Sequence, residues 1–337
     1  MQAPENELID VHTHVVPEYL PPYLGKFAGA AWPSMVPAHA CHRHVMVSGK
    51  VYRTVSHQCW SCSVRIADMG ARRVDRQVLS PMPELLSPWL APEDGLSLCR
   101  VLNDCIAGMV DEAPHRFTGL GAIPLQNVAL AIEELDRLLH VTGLAGVEVP
   151  SHVDGRPLGD PQLRPFFEAA ASWGAAIFVH PLRPNDTGRL IGPPALEQVL
   201  AFPGEIGLAG ASLITSGLLA TVPDLRIALS HGGGTLAMLL PRLRHAQGCV
   251  PPVREALARD PLDDLRRLWI DDLVYDAATL RHIVQVFGAD RVMAGTDYPF
   301  SIMDEDPAGR IDEVGFDEDT RRALRGGNAR RWLGEEP

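Results

Sequence analysis

The chain predicts an α/β fold, a (β/α)8 TIM-like barrel with a small insertion after the first strand. Two observations carry this prediction. From about residue 76 onward, short apolar segments alternate with longer segments of helical period, with Gly or Pro at the joins. Four apolar segments also end in a histidine or an aspartate, as barrel strands do when their C-terminal ends deliver polar side chains to one face.

The opening strand, 8–14, reads Leu8-Ile9-Asp10-Val11-His12-Thr13-His14. Residues i and i+2 of an extended strand share a face, so His12 and His14 are placed to bind one ion together. Residues 15–60 break the alternation, being rich in Pro, Gly, His and aromatics without a strong helical period. A loop this long inside a compact domain is usually functional or a small subdomain, and it is read as an inserted lid. It carries His39-Ala40-Cys41-His42-Arg43-His44, whose spacing fits no standard zinc pattern and is read as chance clustering in a polar loop.

The remaining strands are expected at 76–81, 117–124, 146–150, 175–181, 225–231, 273–276 and 291–297. Helices are expected at 95–113, 127–142, 161–173, 236–247 and 277–287. The clearest is 127–142, with Ala131, Leu135, Leu138 and Leu139 on one face. Eight strands joined by right-handed crossovers make one barrel domain spanning 1–337, with 15–60 inserted in it.

Composition narrows the functions available. A hydrophobic fraction of 46% with 21% charged residues supports a packed core. A net charge of −12 argues against nucleic acid and anionic membranes as partners. No apolar stretch reaches the roughly 20 residues needed to span a bilayer, and no signal peptide opens the chain, so a cytoplasmic protein is expected. The six cysteines are then free thiols. Cys59-Trp60-Ser61-Cys62 has CxxC spacing, but no second CxxC completes a zinc site.

Three further apolar runs close on Val179-His180-Pro181, Ser230-His231-Gly232 and Thr296-Asp297-Tyr298. Neutral imidazoles and a carboxylate suit zinc, and a catalytic zinc site keeps one position open. His12, His14, His180 and Asp297 are the expected ligands, with manganese, cobalt or iron as alternative ions. Zinc lowers the pKa of bound water to about 7. His231 is then the spare histidine and the expected acid/base, unless it too binds the metal.

His12-Thr13-His14, Val179-His180-Pro181, Ser230-His231-Gly232-Gly233-Gly234 and Gly295-Thr296-Asp297-Tyr298-Pro299-Phe300 resemble the four motifs of the amidohydrolase superfamily, in its amidohydrolase-2 branch. Within that branch the chain is most similar to the 2-amino-3-carboxymuconate-6-semialdehyde decarboxylases. The similarity includes Lys50-Val51-Tyr52-Arg53, Cys59-Trp60, residues 89–94, Phe117-Thr118-Gly119-Leu120-Gly121 and Gly327-Asn328-Ala329. The resemblance implies a metal-dependent non-oxidative decarboxylase of aminocarboxymuconate semialdehyde, a related carboxylated ring-cleavage product or an aromatic acid. It implies metal-bound water as the reactant, His231 as acid/base and Asp297 as ligand and catalytic carboxylate. An alternative mechanism binds the substrate directly to the metal and protonates the carbon that bears the carboxylate.

Arg53 and Arg242 match two arginines that grip substrate carboxylates, the second donated across a homodimer interface. Phe300 matches a pocket aromatic, and Trp89 is expected to line the same pocket. The chain departs from its relatives after the third histidine. Where close members carry tryptophans it reads Leu182-Arg183-Pro184-Asn185-Asp186, so the pocket wall is altered. A hydrolase or hydratase of a related lactone or unsaturated acid is the rival enzyme, and a noncatalytic metal-binding protein is the rival outside enzymes.

Overall fold

The computed structural model describes residues 6–27 and 29–335. Its centre is a sheet of eight strands in the order Ile9–Val15, Arg76–Pro81, Phe117–Gly121, Gly146–Pro150, Ala176–His180, Arg226–Leu229, Trp269–Asp271 and Val292–Met293. Every neighbouring pair is parallel. Beyond the last strand the chain returns to the first: Val11 N donates to Ala294 O, Asp297 N to His12 O and His14 N to Tyr298 O, which closes the ring. The fold is the (β/α)8 barrel.

Successive side chains point to opposite faces and both faces are covered, which explains why these strands are largely apolar on both. In Ala176–His180, Ile177 and Val179 belong to the outer core shared with the helices, while Ala176 and Phe178 belong to the barrel interior. The first strand shows the same logic with one interruption. Ile9 and Val11 fill the interior with Phe178 and Trp332, yet the functional pair is His12 and His14, of opposite parity. The register with the next strand slips between Asp10 and Thr13, and this bulge turns the two histidines inward above the apolar plug.

Several boundaries differ from expectation. The seventh strand is Trp269–Asp271, four residues earlier than the expected 273–276. Tyr275 has φ +59°, a left-handed conformation that ends any extended run there. The strand expected at 291–297 contracts to Val292–Met293, with Asp297 at φ +66°. The two longest helices outside the expected set are Cys62–Ala71, capped by the Ser61 side chain, and the glycine-rich Phe202–Thr215, whose apolar residues show no clear one-sided pattern. Residues 15–60 contain an antiparallel sheet of Ser34–Pro37, His42–Val47 and Lys50–Ser56. Val45 and Val55 of this sheet pack against Val16, Met82 and Leu98.

Trp332 closes the barrel floor, fully buried, with its ring 6.1 Å from Phe178. Trp332→Ala removes that plug and is expected to cost about 3–5 kcal/mol of unfolding free energy. Denaturant titration of the variant against the parent measures it.

Candidate active site

His12 and His14 leave the first strand, His180 ends the fifth, and Asp297 follows the eighth. All four are buried, and one ligand atom from each lies within 4.8 Å of every other. The three imidazole rings sit edge to face, with centroids 5.0–5.2 Å apart. Each Nδ1 is already engaged: His12 with Asp271 Oδ2 at 2.8 Å, His14 with Pro81 O at 3.2 Å and His180 with Pro181 O at 2.9 Å. Those contacts orient the rings and leave the Nε2 atoms to converge.

The convergence fits a cation. His12 Nε2, His14 Nε2 and Asp297 Oδ1 are buried without a hydrogen-bond partner, and His14 Nε2 lies only 3.0 Å from Asp297 Oδ1. Orphaned acceptors at this depth are costly unless a positive charge joins them. Burial alone disfavours protonation of His12, yet its hydrogen bond to Asp271 and the charge of Asp297 outweigh it and raise the pKa to about 9. The centre of the barrel therefore calls for positive charge. Three nitrogens and one carboxylate oxygen are a donor set for a transition metal. Among the described residues no other group of three or more such donors converges.

His231 stands beside this cluster, its ring centroid 5.2 Å from those of His12 and His180. Burial, with His12 nearby, pushes its pKa down to about 4, so the free base prevails at neutral pH. Its backbone has φ +53°, and Gly234 closes the same turn at φ +59°. A Cβ at Gly234 would fall 2.0 Å from Pro203 O, so only glycine fits.

Asp271 was not anticipated, yet it joins these parts. Besides meeting His12 Nδ1, its carboxylate accepts the backbone N–H of His231 at 2.9 Å and of Gly232 at 2.7 Å. Its signal was available as an apolar run ending in acid, Leu268-Trp269-Ile270-Asp271, which the misplaced seventh strand obscured. Glu148 was missed as well. It is fully buried, takes a hydrogen bond from Ser80 Oγ, sits 3.9 Å from His14 Nδ1, and is pushed up to about 8 by burial. Arg65, also buried, donates from Nη2 to His14 O at 2.6 Å.

The cluster opens into a cavity of about 490 Å³, lined in part by His180, His231, Asp297, Arg53, Phe300 and Arg183. Phe300 stacks on His14 at 5.1 Å, and the Arg53 guanidinium carbon lies over the Phe300 ring, 4.0 Å from its centre. The inserted sheet thus delivers Arg53 to the cavity. Trp89 is not part of the lining; it packs behind Arg183, whose guanidinium carbon is 3.2 Å from its ring centre. Arg242 lies exposed on the helix Leu236–Cys249, outside the lining. Cys59 and Cys62 are unbridged and buried, with thiols pushed up to about 12 and about 11 by burial. His39 and His42 lie with ring centroids 4.3 Å apart, tilted by 32°, in the insertion.

Asp271→Ala is expected to weaken metal binding about 10–100-fold, because it frees the His12 ring. Competition with a fluorescent chelator reads the change, and parental affinity in the variant would refute the orienting role.

Sequence comparison places the chain among known proteins. The amidohydrolase family profile matches residues 9–334. A 2-amino-3-carboxymuconate-6-semialdehyde decarboxylase of Dictyostelium discoideum is 35% identical over 336 residues, spanning 98% of this chain and 92% of the relative. The apo crystal structure of Metarhizium anisopliae IDCase aligns with a TM-score of 0.82 at 26% identity, over 98% of each chain. A 5-carboxyvanillate decarboxylase of Novosphingobium aromaticivorans, solved with manganese and 4-hydroxy-3-methoxy-5-nitrobenzoic acid, aligns with a TM-score of 0.74 at 26% identity, over 82% of each chain. With the barrel and its ligand cluster in agreement, the chain belongs to the amidohydrolase family and is one of its carboxy-lyases.

Proposed function

We propose that this chain decarboxylates 2-amino-3-carboxymuconate-6-semialdehyde, a related carboxylated ring-cleavage product or an aromatic acid, non-oxidatively and with a bound metal ion. The observation that carries this reading is the four converging ligand atoms at the floor of a cavity that Arg53 overlooks. The relatives named above as decarboxylases favour this chemistry over hydrolysis or hydration.

His12, His14, His180 and Asp297 would hold the ion. Zinc suits their donor set, and manganese, cobalt or iron suits it too. When bound, the ion supplies Lewis-acid polarisation and orients oxygen ligands. The Arg53 guanidinium rests over Phe300 and, at 6.0 Å, near Tyr52, and it lines the cavity. A substrate carboxylate is gripped there in bidentate fashion. Phe300 fixes the height of that grip relative to His14.

Loss of carbon dioxide leaves the electron pair of the broken carbon–carbon bond on the substrate, and a proton must replace the departing group. His231 supplies it. Ser230 Oγ sits 3.3 Å from its Nδ1, which leaves Nε2 for proton transfer. The neutral imidazole takes at Nε2 a proton drawn from solvent before substrate fills the cavity and gives that proton to the carbon as carbon dioxide leaves, while Met82, Leu182, Phe202 and Val274 line the cavity with apolar surface.

The proposal extends to assembly and setting. Residues 15–60 act as the lid, contributing Tyr52 and Arg53. The active form is a homodimer in which Arg242 completes a partner's site. Met238 and Leu239 expose apolar surface on the helix of Arg242, and Leu208 does so on the helix packed beside it, which supports burial of this face. A cytoplasmic setting agrees with six unbridged cysteines.

Metal-loaded protein is expected to release carbon dioxide stoichiometrically from freshly generated aminocarboxymuconate semialdehyde, and a chelator should stop it. No turnover at full metal occupancy would remove that substrate and leave the aromatic acids. His231→Ala should lower turnover by about 10²–10⁴-fold while metal content stays near that of the parent. Loss of metal in that variant would make His231 a ligand. Mixing His231→Ala with Arg242→Ala should restore on the order of a quarter of parental activity, since half the dimers would then carry one intact site. No recovery would rule out donation across the interface.

A further inference from the structure

Ten non-glycine residues among those described have positive φ, and four of them line the cavity: Arg183, His231, Tyr275 and Asp297. Strained backbone concentrates where side chains must be aimed. His231 and Asp297 already have roles. Arg183, at φ +44°, precedes Pro184, where the backbone is restricted further, so its placement is strongly imposed.

What imposes it is a built seat. Arg183 donates from Nε (3.1 Å) and from Nη2 to the same oxygen of Glu84, a cavity residue whose side chain is only 5% exposed. Its guanidinium carbon lies over the Trp89 ring, 3.2 Å from the ring centre. A guanidinium has five N–H donors. Glu84 occupies the Nε edge, leaving the Nη1 hydrogens and one on Nη2 along the other edge, and the Arg183 side chain is 47% exposed at the cavity.

We propose that Arg183, seated by Glu84 and Trp89, is a second substrate anchor that donates to an uncharged carbonyl oxygen on a substituent other than the carboxylate. The inference rests on the reading above that Arg53 grips a substrate carboxylate. An uncharged acceptor follows from Glu84. Its buried carboxylate already offsets the Arg183 charge, and Glu197 lines the same cavity, so a second anion on Arg183 would face two carboxylates. A ketone, aldehyde or amide carbonyl takes the free edge without that repulsion. This anchor stands in the loop where the chain departs from its tryptophan-bearing relatives, and it would make the specificity of this site its own.

Calorimetric titration of metal-loaded protein with benzoate, 3-acetylbenzoate and isophthalate tests it. The parent is expected to bind 3-acetylbenzoate about tenfold more tightly than benzoate and more tightly than isophthalate. In Arg183→Met the ratio of acetylbenzoate to benzoate affinity should fall toward one. In Glu84→Gln, which frees the Arg183 charge, isophthalate should overtake 3-acetylbenzoate. A ratio that survives Arg183→Met overturns the anchor while leaving the carboxylate grip intact. A parent that prefers isophthalate overturns the choice of an uncharged acceptor. Failure of all three acids to bind overturns the carboxylate grip itself, and the anchor with it.

Discussion

The carboxylate of Asp271 is the constraint on which the rest of this site depends. One oxygen meets both His12 Nδ1 and the His231 N–H, and the other takes the Gly232 N–H. A ring on the first strand and a turn after the sixth are thereby fixed to one point on the seventh. Burial would raise its pKa, but the hydrogen bond and charge of His12 prevail and hold it below the usual aspartate range, so it stays an acceptor. An ionised acid at full burial is tolerable only because every contact it makes is a donor. The proposed ligand shell and the proposed proton carrier thus share a support, and neither can shift without the other.

The bulge in the first strand adds a second constraint. An unbroken strand would place Ile9, Val11 and Thr13 on one face and send His12 and His14 to the other. One slipped residue lets the lower half of the strand seal the barrel with Trp332 and Phe178 while the upper half delivers imidazoles. Phe178 lies 5.0 Å from the His12 ring, so the floor of the site is the roof of the apolar plug. Packing below therefore sets the height of the ligands above.

Much of this was legible in the sequence because it is written in local pattern. His12-Thr13-His14, the His180 and His231 strand ends and the Asp297 motif each announce themselves within a few residues, and barrel geometry gives them one destination. Asp271 and Glu148 did not announce themselves. Each is a single acid on a short strand, and its meaning comes from a histidine more than a hundred residues away in the chain. The seventh strand was misread because Tyr275 looks like strand material, and nothing in its neighbours reveals a positive φ. Arg183 was visible only as a departure; its seat on Trp89 and Glu84 is a tertiary fact.

Buried acids beside the ligand cluster couple the release of protons to the binding of a cation. Asp10 is fully buried and pushed up to about 7 by burial, even though Thr296 Oγ1 and backbone N–H groups donate to it. Asp272, equally buried, is raised well above the usual range by burial, with Asp271 beside it. Held in this way, both acids favour the protonated, neutral form more than exposed aspartates do. A divalent ion at His12, His14, His180 and Asp297 would favour the ionised form of these acids and answer the orphaned ligand atoms, so its binding would release protons and stabilise the folded barrel by mass action. The burial that disfavours charged acids at this depth is offset when a cation joins them.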